Sequence, residues 1–134
     1  MVEKCAFCAI AQGEDRSVEI VREGTEWVAF SPLEPATPGH TLIVPRRHVI
    51  DLWQTPSWLA AELMRATVEV GQALQKALGS EGMNLISSAG SVATQTVFHL
   101  HLHVVPRWHG DGFGPIWPRT GASSTPSSAV TMRR

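Results

Sequence analysis

Hydrophobic positions change period along this chain, and each change marks an element. Val18, Ile20 and Val21 lead into Glu23-Gly24-Thr25, and Trp27-Val28-Ala29-Phe30 follows, so residues 18–31 read as strand, turn and strand. The next stretch, Ser31 to Gly39, holds three prolines in nine residues and must be a loop, because proline cannot donate to a sheet ladder. Thr41-Leu42-Ile43-Val44-Pro45 is a β-branched apolar run that suits a short buried strand, closed by Pro45. From Thr55 the period lengthens. Leu59, Leu63, Val70 and Leu74 recur at helical spacing with Ala66 and Ala77 on the same face. Thr55 is the expected N-cap, Pro56 the first helical residue, and Gly79 the stop. Strands are expected again around Met83–Ser87 and Thr96–Val105. The result is an α+β domain, a mostly antiparallel sheet with one long helix packed on it.

Length and composition bound this picture without redirecting it. The chain has 134 residues, 43% of them apolar and 17% charged, which is one domain with a real core. A formal net charge of −1 gives no bulk attraction for nucleic acid or an anionic membrane, so any bound anion needs a local site. No apolar run reaches the roughly 20 residues of a membrane-spanning helix. The N-terminus lacks a signal-peptide core, so a cytoplasmic location is expected. Residues 1–117 are read as the folded domain, and 118–134, rich in Ser, Thr, Pro and Ala, as a flexible tail.

The candidate chemistry lies in Thr96-Val97-Phe98-His99-Leu100-His101-Leu102-His103-Val104-Val105. Strand side chains alternate between faces, so His99, His101 and His103 should share one face while Phe98, Leu100, Leu102 and Val104 enter the core against the helix. Imidazoles titrate near neutrality, and three in a row do not suit core filling. Two histidines at i and i+2 can share a catalytic zinc, but no Asp or Glu lies between Glu81 and Asp111 to orient one. Nucleophilic chemistry uses all three without a metal: a neutral imidazole attacks phosphorus, and its neighbours hold the phosphate oxygens.

His99-Leu100-His101-Leu102-His103-Val104-Val105 resembles the signature of the histidine triad (HIT) nucleotide hydrolases and transferases. Pro38-Gly39-His40-Thr41-Leu42-Ile43-Val44-Pro45-Arg46-Arg47-His48 is similar to that family's upstream histidine strand, and Cys5-Ala6-Phe7-Cys8-Ala9-Ile10 to the opening of many bacterial, Hint-like members. The resemblance implies a five-stranded sheet with an additional short N-terminal helix, and a homodimer joined through the long helix and a strand. It makes His101 the nucleophile on the α-phosphate of a purine nucleotide, with His103 and His40 on phosphate and Gln95 and Thr96 near the leaving group. Phe7, Ile10, Phe30, Leu33 and Ser88 match nucleotide-binding positions. Three positions depart from the pattern: Pro32 replaces an aspartate on the ribose hydroxyls, Ser88 an asparagine, and Thr94 a glycine.

The resemblance also gives a role to the cysteine pair. A lone Cys-x-x-Cys is weak evidence, whereas zinc-bearing relatives add two histidines to it. Carried over, Cys5, Cys8, His48 and His99 would hold a structural zinc ion. The expected activity is cleavage of a nucleoside phosphoramidate or dinucleoside polyphosphate. A nucleotide-binding or protein-interaction module with little catalysis, and a metal-dependent hydrolase, are the alternatives. Arg46 and Arg47 are expected to be a solvated pair, and Arg107 to Gly114 a surface loop whose aromatic residues could stack on a second base.

Overall fold

Residues 5–118, with residues 130 and 132, are described by a computed structural model. The tail expected over 118–134 therefore lies almost wholly outside the described residues. Among the described residues, two α-helices and five strands run in the order α1 (Ala6–Ala11), β1 (Ile20–Glu23), β2 (Trp27–Phe30), β3 (Thr41–Pro45), α2 (Ser57–Leu78), β4 (Gly82–Ile86) and β5 (Leu102–Arg107). The strands form one sheet in the order β1-β2-β3-β5-β4, and every neighbouring pair is antiparallel. This is the α+β architecture the hydrophobic pattern predicts, with the short first helix that the family resemblance adds.

The sheet is covered on both faces, which explains why β2 and β3 are buried along their whole length. Trp27, Ala29 and Ile43 face α2, where Leu59, Leu63, Ala66 and Val70 complete a cluster with Leu100 and Val104. The alternate residues Val28, Phe30, Leu42 and Val44 face α1 and pack with Phe7, Ile10 and Ala11. Each fully buried large apolar side chain contributes roughly 1.5–3 kcal/mol.

Turn chemistry fixes the joints. In the β1–β2 hairpin the Gly24 amide donates to the Trp27 carbonyl, and a Cβ on Gly24 would run into the Trp27 indole. Gly79 ends α2 at φ 62°, a left-handed conformation that glycine adopts at little cost. Arg46 is no solvated side chain: its guanidinium donates to the carbonyls of Ala11 and Gly24 and to Glu23, tying α1 to the hairpin. Arg47 pairs with Glu26 and lies over the Trp58 ring. After β5, Arg107 bonds Asp111, Asn84 and the Gly114 carbonyl, so the loop to Gly114 is braced on its own strand.

Several boundaries differ from the sequence reading, each for a local reason. Pro56, not Thr55, occupies the cap position of α2, because the Thr55 hydroxyl instead donates back to the Asp51 carbonyl at 2.8 Å. Ala77 is exposed at the far end of α2, beyond the sheet. The last strand begins at Leu102 rather than Thr96. Ahead of it the Leu100 amide donates to the Val49 carbonyl, and the His99 carbonyl is taken by the His101 ring, so neither joins the β3 ladder. Residues 97–99 form a bend instead of a pleat, and Phe98, expected in the core, is half exposed.

Thr94 is the non-glycine residue with positive φ among the described residues, at 73°. It stands where the family pattern has glycine. The left-handed conformation costs an L-residue roughly 1–2 kcal/mol, and glycine recovers that while losing about 0.5–1 kcal/mol of chain entropy. Thr94→Gly is therefore expected to stabilise the fold by about 0.5–1 kcal/mol. A urea titration should show a higher midpoint with an unchanged slope, and an unchanged or lower midpoint would remove the strain from the account.

Candidate active site

Register places the histidines before any side-chain contact is considered. On β5, His103 lies opposite Leu42 of β3 and Ile86 of β4, on the α1 side of the sheet. His40 immediately precedes β3, and its Nε2 meets His103 Nδ1 at 2.9 Å. The His101 and His103 rings are 5.0 Å apart, and His99 lies two residues further upstream with its ring fully buried. The shared face expected from alternation is thus present, although only His103 lies within the ladder itself. The expectation that no histidine fills core is overturned for His99, which is 0% exposed, because a carbonyl and two thiols supply the polar partners its burial requires.

Backbone groups set the proton on each ring. The His99 carbonyl can only accept, so His101 carries a proton on Nδ1, 2.8 Å away, and in its neutral form has the lone pair on Nε2. The Ala36 amide donates to His40 Nδ1 at 3.0 Å, so the His40 proton is on Nε2 and is donated to His103 Nδ1. His103 in turn carries its own proton on Nε2. His99 donates Nε2–H to the Pro45 carbonyl at 2.9 Å and turns Nδ1 towards the cysteines. Burial favours the neutral forms of His40, His99 and His103: it lowers the pKa of His40 and of His99, and with the neighbouring His101 and His40 it brings His103 down to about 4. The site therefore offers one free imidazole lone pair beside a two-histidine relay that ends in an N–H donor.

Behind it lies a second cluster. Cys5, Cys8, His48 and His99 present ligand atoms that all lie within 4.8 Å of one another. Cys5 Sγ is 3.3 Å and Cys8 Sγ 3.5 Å from His99 Nδ1, and Cys8 Sγ is 3.4 Å from His48 Nδ1. A tetrahedral zinc with two thiolates and two imidazoles has ligand–ligand edges of roughly 3.3–3.8 Å, so the donors fit that ion in type and spacing. The Pro45 carbonyl on His99 Nε2–H supplies the outer hydrogen bond that fixes a metal-ligating tautomer. Burial, and then the Cys5 thiol beside it, push Cys8 up to about 11, so Cys8 holds its proton until a cation displaces it.

The remaining candidates separate by exposure. Gln95 is buried, its amide nitrogen donating to the Ile50 and Val97 carbonyls and its oxygen accepting from the Gly90 amide. Thr96 is exposed and Ser88 half-buried. Phe7, Ile10 and Phe30 belong to the α1-side core, whereas Leu33 is 80% exposed. Sequence reasoning missed the carbonyls of Pro45 and His99 and the amide of Ala36, since main-chain groups leave no residue-type signal.

The profile of the HIT domain matches residues 14–110, more than half of the chain, and the chain belongs to the HIT family. Protein hit of Bacillus subtilis is 34% identical over 116 residues, which cover 86% of this chain and 79% of that protein. Adenylylsulfatase HINT3 of Arabidopsis thaliana is 33% identical over 107 residues, 80% of this chain and 54% of that longer protein. The crystal structure of a zinc-bound histidine triad family protein from Mycobacterium smegmatis is similar with a TM-score of 0.71 at 37% identity, covering 83% of this chain and 80% of that one.

Neutral burial of His103 has a consequence for stability. Its folded pKa of about 4 lies below the ordinary 6.5, so between those values the unfolded chain binds more protons than the folded one. Stability is expected to fall as pH drops from about 7 towards 4. The shifts of His40 and His99 have the same sign. His103→Gln should give a shallower decline over that window in urea midpoints, and an equally steep decline would dismiss His103 as a source.

Proposed function

We propose that this chain is a hydrolase or transferase that cleaves purine nucleoside 5′-phosphate derivatives at the α-phosphorus through a covalent intermediate on His101. The observation that carries this reading is the hydrogen bond from His101 Nδ1–H to the His99 carbonyl, which assigns Nε2 as the nucleophilic nitrogen of the neutral ring. Nε2 attacks phosphorus, the bond from phosphorus to the leaving group breaks, and the ring takes on positive charge that the His99 carbonyl stabilises. Water then attacks the nucleotidyl-histidine, releasing the nucleoside monophosphate and restoring the imidazole. His103 Nε2–H, backed by His40, donates to a phosphate oxygen. Gln95 and Thr96 border the leaving group, and Ile10, Phe30, Leu33 and Ser88 lie towards the nucleoside. The relative that is an adenylylsulfatase supports an adenosine 5′-phosphate derivative.

Pro32 favours a second reading, a nucleotide-binding or interaction module with little catalysis. A ring without donor or acceptor replaces a carboxylate that would hold two ribose hydroxyls, which weakens binding by on the order of 1–3 kcal/mol. One panel decides between the two. Adenosine phosphoramidate, adenosine phosphosulfate and a dinucleoside polyphosphate are incubated with the wild type and with His101→Asn. The wild type should turn over at least one and trap label on His101, while the variant should do neither. Turnover retained by the variant would defeat the nucleophile, and an inert wild type would favour the binding module.

Cys5, Cys8, His48 and His99 are assigned to a structural zinc, which when bound pins α1 against the catalytic face. The zinc-bound relative and the donor spacing support this. A homodimer in a reducing, cytoplasmic setting completes the reading. Exposed Met64 and Val68, one turn apart on α2, and Leu85 on the sheet-edge strand β4 are apolar side chains available to a second copy. Native mass spectrometry of the full chain reads both assignments at once. The expected species is a dimer with about one zinc ion per chain. A metal-free protein would overturn the zinc assignment, and a monomer the second copy.

A further inference from the structure

Helix α1 has six residues, far fewer than the roughly 12–15 an isolated helix needs in water. Its position therefore depends on what pins it. Cys5 is its N-cap, accepting a hydrogen bond from the Cys8 amide on Sγ, and Cys8 sits within its first turn. Phe7 lies between these two, so whatever fixes the sulfurs also fixes the Phe7 backbone. Its ring packs edge-on against three others: Phe30 at 5.5 Å, His99 at 6.0 Å and His101 at 5.1 Å, the last at an interplanar angle of 86°. The same ring thus touches one member of the cysteine–histidine cluster and the free imidazole two residues beyond it.

That second contact is mechanically important. The bond from His101 Nδ1 to the His99 carbonyl restrains the imidazole only within the angular tolerance of a single hydrogen bond, which leaves the ring some rocking about its side-chain torsions. The Phe7 edge on one side and the His103 ring, 5.0 Å away, on another remove this freedom. We propose that Phe7 is a positioning residue through which the Cys5–Cys8–His48–His99 cluster sets the orientation of the His101 ring. Its catalytic consequence rests on the reading of His101 as the nucleophile. Phe7 does not touch the reacting atoms in this assignment. It transmits the anchoring of α1 to the line along which the Nε2 lone pair points.

Phe7→Leu is the informative variant, because it keeps a bulky apolar side chain in the α1 core and loses the ring edge. Zinc content is expected to stay at about one ion per chain while kcat falls roughly ten- to a hundredfold and KM stays within about twofold. Phe7→Tyr, which restores a ring, should recover most of kcat. Chelating the zinc should lower kcat in the wild type by a similar factor but change Phe7→Leu little, because the coupling has already been cut. A raised KM with kcat intact would instead make Phe7 a wall of the nucleoside pocket. An equal effect of chelation in both proteins would show that the cluster acts by another route. Nitrogen NMR of 15N-histidine-labelled protein tests the geometry without turnover. The zinc-loaded wild type should show a single His101 tautomer protonated on Nδ1, with exchange averaging in Phe7→Leu and after chelation. A single tautomer in all three states would overturn the proposal. If the spectra behave as expected but no form turns over nucleotide, the coupling stands and the catalytic reading falls.

Discussion

The double-sided burial of the central sheet is the constraint from which the rest of the molecule follows. With α2 on one face and α1 on the other, an imidazole next to β3 or β5 has few waters to solvate it. Each ring must find its hydrogen bonds in the protein and remain neutral, since an unpaired buried charge costs several kcal/mol. Main-chain groups meet that demand for His99, His101 and His40. A neutral imidazole has one donor nitrogen and one acceptor nitrogen, so satisfying one end determines the other. The fold thereby chooses which nitrogen of His101 is free and which nitrogen of His99 faces the cysteines. One of the two carbonyls, that of Pro45, belongs to β3, and the other, that of His99, to the bend ahead of β5.

Much of this architecture is legible in the sequence where hydrophobic period and burial agree. Residues 18–31 and 41–45 hold the expected strands, exposed in β1 and buried on both faces in β2 and β3, and Leu59, Leu63, Ala66 and Val70 form the expected helix face because their spacing reports directly on one buried surface. The histidine run is less direct. Its strict alternation predicts one continuous strand, and the paired faces do exist. The ladder nevertheless starts only at Leu102, because the backbone of residues 99 and 100 bonds to the His101 ring and to Val49. Alternation reports which side a residue faces and says nothing about where its amide donates.

The site divides in the same way. Residue types at fixed spacing made His101 and His103 recognisable together, and the family resemblance added His40 to them and linked Cys5 and Cys8 to His48 and His99, whose ligand atoms the structure brings together. The groups that decide function among those residues carry no side-chain signature. Gln95 illustrates the limit. Its type suits a leaving-group contact, but all its polar atoms are already committed to the main chain of Gly90, Ile50 and Val97. Reaching a substrate would break buried bonds worth about 1 kcal/mol each, so in this conformation it braces the loop ahead of the histidines.

Pro32 and Thr94 sharpen how far recognition and chemistry are separable in this fold. Both lie in connecting segments at the rim, Pro32 after β2 and Thr94 ahead of the bend at 97–99. Neither supplies a group to the tautomer relay running from Ala36 through His40 to His103. Substitution at these positions can therefore alter what is held without altering how the imidazoles are poised. A buried relay tolerates almost no change, because every atom in it is another's hydrogen-bond partner. An exposed rim tolerates a good deal.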